Sequence, residues 1–171
     1  MITVDLHTYD FVVVNTSAGK DSICAMFELW RMAKEQDYPL SRITASHQDL
    51  KKAEWGGVKE LAAQQAELLG FNFEVTRARK KEGGEWSFLE YVRKRGMWPD
   101  RKNRYCTSDF KRGPGARVVT ALTKGMKGVR VLYVFGYRWD ESPDRGKKVY
   151  LKKHARLSNK SRHVDEYSPI L

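Results

Sequence analysis

Phe11-Val12-Val13-Val14-Asn15 runs directly into Thr16-Ser17-Ala18-Gly19-Lys20-Asp21-Ser22. The apolar run predicts a buried strand, and the small residues after it predict a turn. A helix starting near Lys20 would aim its free N–H groups and the positive end of its dipole at that turn, an arrangement that binds phosphate or sulfate. This is not the ordinary P-loop. That motif needs an earlier glycine where Val14 stands and a Ser or Thr where Asp21 stands. Nor is it the dinucleotide fingerprint, since Gly19 is the only glycine here. A plain helix cap, with Ser17 as N-cap and Lys20 in solvent, is the other reading of the same residues.

Outward from the turn, strand and helix alternate. Ile23, Met26, Phe27 and Trp30 recur at helical spacing and predict the face of the first helix that packs on a sheet. A second strand is expected at 42–47. A second helix is expected at 57–69, with Val58, Leu61, Ala62 and Leu68 on one side and Gly70 stopping it. A third strand follows at 72–76. Ser87 and Glu90 form a capping box for a helix through Arg95. Pro114 suits the first turn of a helix bearing Val118, Val119 and Leu122, and residues 129–135 read as a strongly apolar fourth strand. This order predicts an α/β fold: a three-layer, Rossmann-like, mainly parallel sheet with helices on both faces and ligands at the carboxyl ends of its strands.

The 171 residues fit a single domain, 1–171, whose residues 146–171 form a basic C-terminal segment expected to order over ligand. Residues 163–171 read as a short final strand with a turn at Pro169. No apolar run approaches the roughly 20 residues of a bilayer span. The first residues lack the long apolar stretch of a signal peptide, so no membrane association and a cytoplasmic location are expected. Cys24, Cys106 and the four histidines show no metal-ligand spacing, which speaks against a four-cysteine cluster and against a dedicated transition-metal site. The formal net charge of +11 calls for an acidic partner, nucleotide or nucleic acid. Its cations gather at 77–81 and 147–162, and such runs are more often solvated surface than a binding site.

Three further clusters carry chemistry. Asp49 and Glu54 follow the second strand. Asn103-Arg104-Tyr105-Cys106-Thr107-Ser108-Asp109-Phe110-Lys111-Arg112-Gly113-Pro114 concentrates cations and hydroxyls before a helix. Gly136-Tyr137-Arg138-Trp139-Asp140-Glu141-Ser142-Pro143-Asp144-Arg145 leaves the fourth strand at the expected ligand edge. Arg138 and Arg145 have an alternative as surface ion pairs with Asp140, Glu141 or Asp144. Cys106 reads as a buried small residue, a thiol activated by Arg104 and Lys111, or one ligand of a cluster completed by another protein.

In order and spacing, the turn and these clusters resemble the phosphoadenosine-phosphosulfate (PAPS) reductase-like family of PP-loop adenine nucleotide alpha hydrolases. That family has a Ser-Gly-Gly-Lys-Asp-Ser turn, an Arg-Tyr-Cys-Thr then Lys-Arg segment and a Gly-x-Arg strand end. Ala18 stands where it has its first glycine. The resemblance spans residues 10–171 and implies that Ser17, Ala18, Gly19, Lys20, Asp21 and Ser22 bind the phosphate or sulfate end. Lys111, Arg112, Arg138 and Arg145 would be further anion contacts, and Asp49 would lie near the nucleoside.

The reductases of the family carry a nucleophilic cysteine in a C-terminal tail, whereas this sequence has no cysteine after Cys106. The expected activity is therefore the PP-loop's own: cleavage of ATP at the α–β bond, with pyrophosphate release and adenylyl transfer to an acceptor. Lys20, Asp21 and Arg138 would be catalytic, with Asp21 on Mg2+. The acceptor stays open among a nucleobase in RNA or DNA activated for sulfur or nitrogen insertion, a sulfur-carrier protein, a carboxylate or water. So does assembly into a homo-oligomer. Sulfonucleotide reduction of PAPS and a non-catalytic nucleotide- or nucleic-acid-binding subunit are the alternatives.

Overall fold

The structure, a computed structural model, describes residues 4–141, 147 and 149–170. Its frame is a six-stranded sheet. Strands β1 (Phe11–Thr16), β2 (Ile43–Gln48), β3 (Asn72–Thr76), β4 (Val129–Val134), β5 (Leu151–Lys153) and β6 (Arg162–Tyr167) lie in the order β3-β2-β1-β4-β6-β5. All neighbours are parallel except β5 and β6, which are antiparallel. The fold is α/β. Among the described residues no helix is long and apolar enough to cross a membrane.

The apolar strands bury both faces, as parallel strands covered by helices must. Val12 and Val14 of β1, with Leu132 and Val134 of β4, meet α1 (Lys20–Glu35) and Ala66 of α2 (Val58–Leu68) on one side. Val13, Val131 and Tyr133, the residues between, meet Val118 and Val119 of α5 (Gly113–Leu122) on the other. The period of two along a strand thus divides the core into two layers.

Both long helices turn to the sheet a stripe that is shifted from the expected one, keeping Met26 and Ala62 but not Phe27, Leu61 or Leu68. On α1 the buried residues are Ser22, Ala25, Met26, Leu29, Met32 and Ala33. Ile23 and Trp30 pack at the margin, and Phe27 is 51% exposed, stacked on Trp30 at 5.6 Å. On α2 the buried residues are Ala62 and Ala66, while Leu61 and Leu68 are exposed. Small side chains let a helix axis approach the sheet closely, so alanine marks the face of α2 and shares that of α1 with Met26, Leu29 and Met32. The capping box of α3 (Phe88–Arg95) forms as expected, with Glu90 accepting from the Ser87 N–H at 3.0 Å.

The cationic segment expected to precede a helix is itself helical. α4 (Tyr105–Thr107) continues through a π-helical turn, Ser108–Arg112, into α5 without a break. Pro114 explains the wide turn: it has no N–H for the Phe110 carbonyl, and its ring crowds that position. The chain registers instead through the Gly113 N–H, which donates to the Ser108 carbonyl. The basic C-terminal segment also contains regular structure, since β5 pairs through Leu151–Tyr167 and Lys153–Asp165.

Candidate active site

The chain leaves β1 for β2 and β3 on one side and later returns to place β4 on the other. The carboxyl ends of β1 and β4 therefore bound a crevice where the strand order reverses, the usual ligand site of open parallel sheets. A cleft of about 310 Å3 lies there, within the range of small-molecule sites. Two hydrogen bonds tie its floor. Asn15 donates to the Val134 carbonyl at 3.2 Å, and the Tyr133 hydroxyl donates to Asn15 Oδ1 at 3.1 Å. Burial pushes the Tyr133 phenol up, so it stays a donor. A Cβ on Gly115 would crowd that hydroxyl and Asn15 Oδ1, so glycine lets α5 cross close over the floor of the cleft.

The turn itself is held by its own hydroxyls. Ser22 is buried; it donates to the Gly19 carbonyl at 2.8 Å and accepts from the Ser17 N–H at 3.3 Å. The Ser22 proton is thus committed to the clasp, and its oxygen closes the loop. The Ala18 N–H donates to Thr16 Oγ1 at 3.1 Å. Beneath, His47 is fully buried with Nδ1 3.1 Å from the Thr16 carbonyl. A carbonyl only accepts, so Nδ1 carries the proton. Its Nε2 lies 3.4 Å from the Glu54 carboxylate, without hydrogen-bond geometry.

The N-cap of α1 is Gly19, not Ser17, and it contributes no side-chain hydrogen bond. The first-turn N–H groups of α1 therefore have no capping side chain, the condition for an anion site. The left-handed residue of the turn is Ala18, at φ 57, whereas Gly19 is extended at φ −81. Left-handed backbone strains an alanine, so Ala18→Gly should raise stability by about 0.5–1 kcal/mol after glycine's extra chain entropy is subtracted. Chemical denaturation reads this directly, with an increased midpoint expected.

Ser17, Gly19, Lys20, Asp21, Ser22, Lys111 and Arg112 all line the cleft, on its two sides. Lys20, Lys111 and Arg112 form no ion pair with any described carboxylate. Asp21 faces the cleft while its Oδ1 receives Arg138 Nε at 3.1 Å; Arg138 also reaches Asp140 at 3.6 Å. Arg138 therefore stands behind Asp21 rather than on the cleft wall. Its expected surface pairing with Asp140 and its place beside the turn coexist. Ser142 and Arg145 lie outside the described residues.

Asp49 does not line the cleft; Glu54, from the same loop, does. The Asp49 carboxylate turns to Arg77, which donates from Nη2 at 2.7 Å and Nε at 2.9 Å, and it also accepts from the Lys51 N–H at 2.6 Å. Burial alone would raise its pKa, but the Arg77 hydrogen bonds and charge and the Lys51 N–H outweigh that and hold it below the ordinary 3.8. A depressed carboxyl stabilises the fold fully above its ordinary value and loses that contribution as pH falls through the lower folded one. Asp49→Asn is expected to cost about 1–2 kcal/mol at pH 7 and to flatten the loss of stability below pH about 4, measured by urea unfolding across pH.

Asn15, Thr16, Gln48, Thr107, Phe135, Gly136 and Tyr137 complete the lining; Asn15, Thr16, Thr107, Gly136 and Tyr137 lie in the stretches quoted from the sequence, but none of the seven is assigned a ligand contact there. The signal available for them was topological: each ends or follows a strand, or lies one turn before Lys111. Cys24 is exposed and Cys106 half-buried, and neither lines the cleft. Among the described residues no group of three or more His, Cys, Asp or Glu is placed to hold a metal ion. No protein-family model matches the chain, and no curated protein matches it significantly.

Proposed function

We propose that the chain is a PP-loop enzyme of the PAPS reductase-like kind, on a Rossmann-like sheet, that cleaves ATP between the α- and β-phosphates and transfers the adenylyl group to an acceptor. The observation that carries this reading is the convergence of an uncapped helix start with Lys20, Lys111 and Arg112 on one cleft where the strand order reverses. Three cations without described carboxylate partners, facing free N–H groups, match a polyphosphate far better than a neutral ligand.

In this reading the first turn of α1 and Lys20 hold the β- and γ-phosphates, and Lys111 and Arg112 approach from the opposite side toward the α-phosphate. Magnesium comes in with the nucleotide as part of the substrate, its ligands mostly phosphate oxygens and water. Asp21 is the carboxylate assigned to touch it, as a cleft-lining residue in the first turn of α1. Arg138, held by Asp21, positions that carboxylate. An acceptor oxygen attacks the α-phosphorus; the bond to the bridging oxygen breaks, and its electron pair leaves on pyrophosphate. Catalysis is alignment plus stabilisation of charge developing on the leaving group.

ATP is favoured over PAPS because neither cysteine lines the cleft, leaving no thiol of the described residues beside a sulfuryl group. Incubation with MgATP and each acceptor class, followed by a pyrophosphate assay, tests the proposal. Acceptor-stimulated release is expected. Thiol-dependent sulfite release from PAPS, without pyrophosphate from ATP, selects the reductase instead.

A further inference from the structure

Beside the nucleotide cleft opens a larger cavity of about 530 Å3 that shares Arg112, Phe135 and Tyr137 with it. The shared wall includes an aromatic pair: the Phe135 and Tyr137 rings stack at 5.0 Å and only 6° from parallel. Opposite lie the end of β5 and the turn after it, carrying Lys152, Lys153, His154 and Arg156. Among the described residues Glu166 of β6 is the one carboxylate on the lining, and Lys152 lies 3.8 Å from it. Lys153 and Arg156 are exposed and have no partner among the described carboxylates. The ring of His154 sits 6.1 Å from that of Tyr133, and its Nδ1 is buried without a hydrogen-bond partner among the described residues. Burial lowers its pKa from the ordinary 6.5, so at neutral pH it offers an uncharged imidazole rather than another cation.

We propose that this cavity is the acceptor site and that the acceptor is a nucleotide unit of a single-stranded nucleic acid. Its base would lie against the Phe135–Tyr137 stack, with the flanking phosphates on Lys153 and Arg156. A small carboxylate needs one cation and no flat wall. An acidic protein segment brings carboxylates but no planar ring. Stacked aromatics edged by cations are the pattern of single-strand binding, in which every base offers a face and the backbone supplies the charge. A duplex keeps its bases stacked inside the helix, so a cavity of this size admits a base only when it is unpaired. The net charge of +11 acts in the same direction. This inference rests on the proposed nucleotide cleft, because an acceptor here abuts that cleft across a common wall.

The test compares wild type with the double variant Lys153→Glu/Arg156→Glu, whose positions do not touch the nucleotide cleft. A labelled single-stranded oligonucleotide is titrated by fluorescence anisotropy over a range of salt, and MgATP binding is measured in parallel by calorimetry. Wild type is expected to bind the single strand more tightly than a duplex of the same sequence. The double variant should lose at least tenfold in oligonucleotide affinity. Its log–log salt slope should flatten by about 1.4, two phosphates at about 0.7 each. Melting temperature and MgATP affinity should stay unchanged. Equal oligonucleotide binding by the variant, preference for duplex, or no binding by wild type overturns the proposal. So does finding that the variant loses an acidic carrier protein instead. Failure of wild type to bind MgATP strikes the nucleotide cleft and leaves the oligonucleotide result to be judged by itself.

Discussion

Lys20→Ala is expected to lower pyrophosphate release from MgATP by about a hundredfold to a thousandfold, the loss typical when one preorganised charge-stabilising donor is removed. Lys20 opens α1, is exposed, and pairs with no described carboxylate, so its truncation leaves no buried partner behind. Alanine is also a good helix former, and thermal melting should stay within a few degrees of wild type. The deficit belongs to both binding and turnover, since the ammonium faces phosphates in the ground state and the pyrophosphate charge in the transition state. Arginine at this position should recover part of the rate and alanine none. An activity equal to wild type, in a protein that melts normally, removes Lys20 from the phosphate site.

Gly136→Ala attacks the same site from the opposite side and through the backbone. A Cβ at Gly136 would stand 2.6 Å from the Asp21 carbonyl oxygen, 2.8 Å from its carbon and 3.1 Å from Ser22 Cα. All three atoms are main chain in the first turn of α1, so no side chain can swing away. The end of β4 and the start of α1 must part. Overpacking of this kind costs about 1–3 kcal/mol. Here it also moves the N–H groups of the anion site, so MgATP affinity should fall at least about tenfold, equivalent to about 1.4 kcal/mol. Gly56→Ala, where an added Cβ meets nothing within 4 Å, is the control and should leave stability and binding unchanged. Calorimetric binding and urea unfolding on the two variants separate the effects. A stable Gly136→Ala protein that binds MgATP normally contradicts the close approach of strand end and helix start.

The strand–turn–helix around Gly19 was legible because a continuous apolar run, a cluster of small residues and a polar helix start each act locally. β1 and α1 lie where those residues imply. The faces of α1 and α2 were not, because periodicity weights large side chains while these helices approach the sheet through Ala25, Ala33, Ala62 and Ala66. The π turn at 108–112 had its cause in plain sight, a proline at 114 inside a helix, but reading it required knowing that the helix began at Tyr105 rather than after the proline. At the site, Lys20, Lys111 and Arg112 could be named from the sequence since charge near a turn is a local signal. Gln48, at the end of β2, depends on which strand lies beside which, a fact of sheet order. Asp49 illustrates the limit most sharply: a carboxylate after β2 reads as a nucleoside contact, yet Arg77, 28 residues on, claims it, and Glu54 faces the cleft instead.

The central claim is that the cleft between β1 and β4 holds ATP for cleavage at the α–β bond. ATP labelled on the α-phosphorus, incubated with magnesium, the chain and single-stranded nucleic acid, and resolved by product, tests it most directly. The label is expected in AMP or on the acceptor, with unlabelled pyrophosphate in equal amount, and Lys20→Ala should lower both by about a hundredfold or more. Label recovered in ADP, or ATP left intact with every acceptor class while wild type and Lys20→Ala behave alike, contradicts it.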